Sequence, residues 1–164
     1  SFRFFLNREN TIKMQPQLGG GSIYDTGCYP LNFVGMILNQ EPISVSAQYT
    51  YENGVDTMFT GILKYSNDTI AVINSGFNAF DRNYSEIIGT KGIIQVPDTF
   101  LGTSGFITVI TKDGERQIPV EESDRYLLEI EDFANAIIND KKPTISMEDS
   151  IRDMKIMDQL LALR

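Results

Sequence analysis

Residues 43–65 read ISVSAQYTYENGVDTMFTGILKY. Residues 43–51 and 55–65 are rich in β-branched and aromatic side chains. They flank Glu52-Asn53-Gly54, a hairpin signal, because Asn and Gly tolerate the positive φ of a tight turn. Outward from this hairpin the same grammar repeats. Residues 69–77 follow an Asn67-Asp68 turn. Residues 84–88 and 93–96 flank Gly89-Thr90-Lys91-Gly92. Residues 106–111 and 115–120 flank Lys112-Asp113-Gly114. Loops this short join antiparallel neighbours. Upstream, Gly19-Gly20-Gly21 precedes a helical period at Ile23, Leu31, Val34 and Ile37, closed by Asn39-Gln40-Glu41-Pro42. Pro30 inside it is expected to kink or divide the helix. Downstream, Ser123 is the expected cap of a helix bearing Leu127, Ile130, Phe133 and Ile137. Lys141-Lys142-Pro143 stops that helix. Ser146-Met147-Glu148-Asp149, a capping-box pattern, starts the last one, with Ile151, Met154, Met157 and Leu161 on its stripe. Helix, many strands, two helices is the order of an α+β fold: an open-faced, largely antiparallel sheet with helices packed on one face. Met58, Phe59, Ile62 and Leu63 put apolar groups on both faces, so the second face is solvated or covered by a partner.

Composition narrows the function. The 164 residues carry 14 basic and 22 acidic side chains, net −8. So acidic a chain is a poor match for nonspecific nucleic-acid or anionic-membrane binding. There is no histidine. That removes Ser-His-Asp and Cys-His catalysis, histidine bases and nearly every zinc site from this chain alone. The carboxylates lack EF-hand spacing, and no metal site is expected. A lone cysteine, Cys28, excludes an internal disulfide and fits a reducing, cytoplasmic setting. No apolar run approaches the roughly 18 residues of a membrane span. Ser1 opens a strand-like stretch without Met, which suggests that an upstream segment is missing.

The triglycine is the densest local signal. Glycine-rich loops before helices often cradle phosphate. Here no Gly-x-Gly-x-x-Gly and no Gly-Lys-Ser/Thr accompanies it, and a sharp turn admitting close backbone approach is the simpler reading. Asp25 and Tyr29 are four apart and share a helical face, with Asn32 extending the stripe. A carboxylate beside a phenol can relay a proton to a bound hydroxyl or carbonyl. A phenol near pKa 10 needs help in this, usually a nearby cation. Ser22-x-x-Asp25 also reads as a capping box, and Tyr29 as a half-buried aromatic. Cys28 reads as a small buried hydrophobe, since no base is present to activate it. Lys13 and Arg8 are placed to meet an anion or hydroxyls, or solvent.

The whole stretch Leu18-Gly19-Gly20-Gly21-Ser22-Ile23-Tyr24-Asp25-Thr26-Gly27-Cys28-Tyr29-Pro30 is more specific than its parts. It resembles the opening of the C-terminal domain of the glucose-fructose oxidoreductase / inositol dehydrogenase / rhizopine catabolism (Gfo/Idh/MocA) family, with its dihydrodipicolinate reductase-like sheet. Three further matches follow in order: Gly89-Thr90-Lys91-Gly92 in its hairpin, Tyr126 through Ala136 with Glu129, Phe133 and Ala134, and Pro143-Thr144-Ile145-Ser146-Met147-Glu148-Asp149-Ser150. The resemblance covers essentially residues 1–164.

That resemblance implies one substrate-binding and oligomerisation domain over 1–164. It belongs to an NAD(P)-dependent oxidoreductase of sugars, polyols or related cyclic alcohols. NAD or NADP would be bound mainly by an N-terminal Rossmann domain absent from this chain, which also holds the family's catalytic lysine. The chain alone would therefore be inactive. Many members carry histidine where Tyr29 stands. Tyr29 resembles the branch of dihydrodiol and xylose dehydrogenases, where tyrosine is the proposed proton donor or acceptor. In this reading Asp25 orients the substrate or tunes Tyr29, Lys13 and Asn32 are substrate contacts, and the open sheet face supports a homo-oligomer. The rival expectation is a non-catalytic ligand-binding or dimerisation module on the same fold.

Overall fold

The computed structural model describes residues 1–164. Two compact units divide the chain, one of Ser1–Arg82 with Met147–Arg164 and one of Asn83–Ser146.

In the first unit, β2 (Ser44–Glu52) and β3 (Val55–Lys64) form the hairpin expected at Asn53-Gly54, which both take positive φ, 52° and 84°. β4 (Ile70–Gly76) continues the antiparallel ladder, with Ile62 opposite Val72 and Phe59 opposite Ser75. β1 (Phe2–Phe5) then joins β4 in parallel, Phe2 opposite Ser75. Between Thr50 and Tyr51 the hairpin register shifts: Thr50 faces Met58 but Tyr51 faces Asp56, so Thr57 is the extra residue of a bulge. A bulge reverses strand parity. Asp56 is thereby carried to the same side as Phe59 and Leu63.

Strand alternation sends Phe59, Leu63 and Ile73 to one face, where they are essentially inaccessible. Two helices cover that face. α1 (Cys28–Leu38) contributes Leu31, and α3 (Met147–Leu161) contributes Ile156, Met157 and Leu160, with Ile23 and Tyr65 completing the cluster. Burying each such side chain stabilises the fold by about 1.5–3 kcal/mol. The Tyr49 hydroxyl donates to the Leu160 carbonyl at 2.8 Å, tying β2 to α3. Between α1 and α3, the buried Arg152 donates to Asp149, Asp153 and Asn39, and Asn32 donates to Asp153. The opposite sheet face keeps Ile62, Ile70 and Val72 open, at 45%, 60% and 59% exposure.

In the second unit, β5 (Asn78–Gly89, whose first five residues belong to the first unit), β6 (Gly92–Pro97), β7 (Gly105–Thr111) and β8 (Gly114–Val120) make a four-stranded antiparallel meander. α2 (Arg125–Ile138) follows. Its cap is Asp124, whose carboxylate accepts from the Tyr126 and Leu127 amides, and not the expected Ser123. A carboxylate at this place also meets the positive end of the helix dipole. The α+β expectation holds: mostly antiparallel strands, with α1 and α3 on one face of the first unit's sheet. No helix is long and apolar enough to cross a membrane.

Candidate functional site

The site begins where the chain turns twice before the triglycine. Short 3-10 turns at Ile12–Met14 and Pro16–Leu18 fold it back, the first capped by the Thr11 hydroxyl. Gly19 leaves the second at φ 73°. The three glycine amides are then spent inside the protein. Gly19 donates to Pro16, Gly20 to Gln15 and Gly21 to Lys13, at 3.2, 3.0 and 2.9 Å. A Cβ on Gly20 would lie 2.7 Å from the Lys13 carbonyl oxygen. The close-approach reading of the triglycine is therefore the structural one. With its N–H groups engaged, the loop offers no cradle for a dinucleotide phosphate, and the residues here do not fit that group.

Ser22 does not build a capping box with Asp25. Its backbone is already helical, φ −70° and ψ −28°, and its side chain caps nothing in its own helix. Instead the Ser22 hydroxyl and the Ile23 amide both donate to Asp56 Oδ2 at 2.8 Å. Arg164 donates to Asp56 Oδ1, also at 2.8 Å. The Asp56 side chain is wholly buried. Burial pushes its carboxyl above the usual range, opposed by the donations from Ile23, Ser22 and Arg164.

From this anchor the chain winds as a π-helical turn, Ile23–Gly27, and only then as α1. Such wide turns occur often at functional sites. The division expected near Pro30 falls at Gly27 instead. Pro30 lies in the first turn of α1, where a missing N–H costs little.

The π-turn and the following residues present the candidate side chains. Lys13 Nζ donates to Asp25 Oδ2 at 2.7 Å, both partly exposed. Lys13 also lies over the Phe4 ring, 5.2 Å from its centroid. Phe4 neighbours Phe2, and Phe2 packs edge-on against Tyr29 with ring centroids 5.3 Å apart. The Tyr29 residue is 45% exposed. The structure thus joins Lys13 and Asp25 directly, and β1 links that pair to Tyr29 through two aromatic rings. Asn32 is not brought to them; its amide is held by Asp153 of α3. Cys28 is partly buried, and desolvation raises its thiol pKa, as suits a packing residue. Arg8 is clamped on Glu52 by two hydrogen bonds, at 2.9 and 3.0 Å. Asp56 and Arg164 escaped the sequence reading. An acid within the apolar run Val55–Lys64 was the one available signal for them.

Chemically, the surface holds a half-exposed tyrosine and a carboxylate–ammonium pair, all on segments fixed from behind by buried groups. It can bind hydroxyls and exchange a proton with one.

Comparison with known proteins is consistent in sequence and in fold. Residues 1–95 match the family model described as GFO/IDH/MocA C-terminal domain. The chain is 35% identical over 162 residues to trans-1,2-dihydrobenzene-1,2-diol dehydrogenase of Xenopus tropicalis, covering 90% of this chain and 48% of that protein. It is 26% identical over 153 residues to D-xylose 1-dehydrogenase (NADP(+)) 2 of Haloferax volcanii, covering 91% and 47%. The chain spans about half the length of the curated relatives it matches. Among solved structures, a 3-ketoreductase from Actinomadura kijaniata in complex with NADP and TDP-benzene superposes with a TM-score of 0.86 at 21% identity, covering 98% of this chain and 51% of that one. An aldose-aldose oxidoreductase from Caulobacter crescentus, complexed with glycerol, gives 0.84 at 18% identity, covering 99% and 51%.

Proposed function

The chain belongs to the GFO/IDH/MocA C-terminal domain family, and on that premise we propose that it is the substrate-binding part of an NAD(P)-dependent oxidoreductase. Its substrate is a sugar, a polyol or a related cyclic alcohol. The observation that carries this reading is the partly exposed Tyr29, set beside β1 with the Lys13–Asp25 pair on the same aromatic strip. The names of the relatives, dehydrogenases and reductases of diols and sugars, support the substrate class.

NAD or NADP, when bound, exchanges a hydride with the substrate carbon. Its phosphates are held by a Rossmann domain outside this chain, a reading that the engaged triglycine amides support. This chain's residues handle the hydroxyl. Tyr29 takes or returns its proton. Asp25, fixed by Lys13, orients neighbouring hydroxyls by accepting hydrogen bonds. Homo-oligomers form through the open face of Ile62, Ile70 and Val72.

The test uses the full-length protein. D-xylose and trans-1,2-dihydrobenzene-1,2-diol are offered with NAD+ and with NADP+, and reduced nicotinamide is followed by absorbance. Turnover of either supports the proposal. No turnover across an extended panel of polyols and sugars, with both cofactors bound, would leave the second reading, a non-catalytic dimerisation module. The exposed apolar face favours that module, and light scattering on Ile62→Lys tests the face itself.

A further inference from the structure

The bulge in β3 has a chemical consequence. By skipping Thr57 it turns a carboxylate into the interior, at the point where the π-turn begins. Asp56 accepts there from the Ser22 hydroxyl, the Ile23 amide and the Arg164 guanidinium, each at 2.8 Å. Ser22 also shares a hydrogen bond with Ser75 on β4 at 3.0 Å. Gly21, at φ 126°, has no Cβ because one would overlap Asp56 Oδ1. Arg164 is itself held over two rings, 5.6 Å from Tyr24 and 5.9 Å from Tyr49. Tyr24 stands one residue before Asp25. The start of the π-turn is thus gripped from the sheet, from its own preceding glycine, and from the segment after α3.

Burying an ion is costly unless it is paired and fully hydrogen-bonded. The core here could be apolar, as it is around Phe59 and Leu63. A buried ion pair is weak evidence for stability, and its best-attested use is fixing one register. The register at stake is where Ile23–Gly27 starts to wind, and so where Asp25 and Tyr29 point. Both Oδ atoms are used, which fixes rotation as well as position.

We propose that Asp56, clamped by Arg164, is a positioning residue for the Asp25/Tyr29 site, setting the start of the π-turn that carries them. This rests on the assignment of Tyr29 and Asp25 to the site. Neither Asp56 nor Arg164 touches the substrate. Their removal therefore disturbs proton transfer more than binding.

The test compares Asp56→Asn, Arg164→Gln and Arg164→Lys with Tyr29→Phe in the full-length enzyme. D-xylose and trans-1,2-dihydrobenzene-1,2-diol serve as probes with NADP+. Asp56→Asn and Arg164→Gln should each lower kcat about tenfold, with KM within about twofold, since small misplacements of catalytic groups are costly. Arg164→Lys, which keeps the charge, should recover most of that loss. Hydrogen exchange of residues 19–29, measured with no substrate, should quicken about tenfold in the two impaired variants while α3 keeps its protection. Unchanged exchange in that segment overturns the proposal, whatever the activity. So does wild-type kcat in Asp56→Asn beside an impaired Tyr29→Phe, and so does a loss that only follows the unfolded fraction. Full activity in Tyr29→Phe would instead overturn the site assignment, and the proposal with it.

Discussion

Lys13 is bound to the Asp25 segment twice: its ammonium donates to Asp25 Oδ2 at 2.7 Å, and its carbonyl accepts from the Gly21 amide at 2.9 Å. The Asp25 amide in turn donates to the Gly21 carbonyl at 3.2 Å, closing the loop. The side-chain pair is therefore held at both ends by backbone. Little side-chain freedom is left to lose on binding of the proposed substrate, as the proposed role of the pair requires.

Breaking this pair should cost activity far more than stability. Both groups are partly exposed, 36% and 25%, so solvent screens them and their contribution to folding is about 0.2–1 kcal/mol. Lys13→Gln and Asp25→Asn should each leave the urea midpoint nearly in place yet reduce kcat/KM about tenfold or more. The double variant should be no worse than the poorer single one, because the two act as a unit. Steady-state kinetics on the four proteins reads this directly.

Gly21→Ala is expected to be more damaging than Gly19→Ala. It places a Cβ at φ 126° and drives it into the Asp56 carboxylate. The backbone strain alone is about 1–3 kcal/mol. The collision adds to it, so urea unfolding should show a loss of at least about 2 kcal/mol. Gly19→Ala has open space around its Cβ but a φ of 73°, and should lose about 1 kcal/mol.

Tyr49 offers a pH test of the β2–α3 contact. Burial pushes its hydroxyl up from 10 to about 12, with Arg164 pulling the other way. The unfolded phenol ionises near 10, while the folded one holds its proton to about 12. The folded state then binds the extra proton, so the stabilisation is complete below pH 10 and is lost as pH rises towards 12. At neutral pH, Tyr49→Phe should be less stable by about 1 kcal/mol, for the lost bond to Leu160. Between pH 10 and 12 that disadvantage should shrink or reverse in chemical unfolding, because phenylalanine has no proton to lose.

The sheet was largely legible because turn chemistry is local. Asn53-Gly54 and Lys112-Asp113-Gly114 mark hairpins in the residues themselves, and the structure closes both there. What sequence could not show is non-local. The parallel pairing of β1 with β4 has no turn to announce it. The first five residues of β5, Asn78 to Arg82, carry polar side chains and the 93% exposed Phe80, so they show no buried alternation. Asp56 is 34 residues from Ser22 and 108 from Arg164, and simple alternation places it on the wrong face; only the bulge brings the three together. Ser22-x-x-Asp25 matched a capping pattern, but Asp56 supplies the acceptor and frees Asp25 for Lys13. Tyr29 was paired with Asp25 by helical spacing, but its role as proton donor or acceptor came from resemblance to a family, because one exposed tyrosine has no local pattern for that role. Asn32 came from the helical stripe, and its amide lies on Asp153 of α3, a partner 121 residues away that no local pattern announces.

Proton transfer at Tyr29 is tested most directly by Tyr29→Phe in the full-length enzyme. Removing one oxygen leaves the ring against Phe2, and urea unfolding of the variant reads any cost to the fold. General acid–base catalysis is worth about 10²–10⁴-fold, so kcat should fall by that order, with KM and NADP affinity within about threefold of wild type. Wild-type kcat in that variant would contradict the assignment and remove Tyr29 from the mechanism.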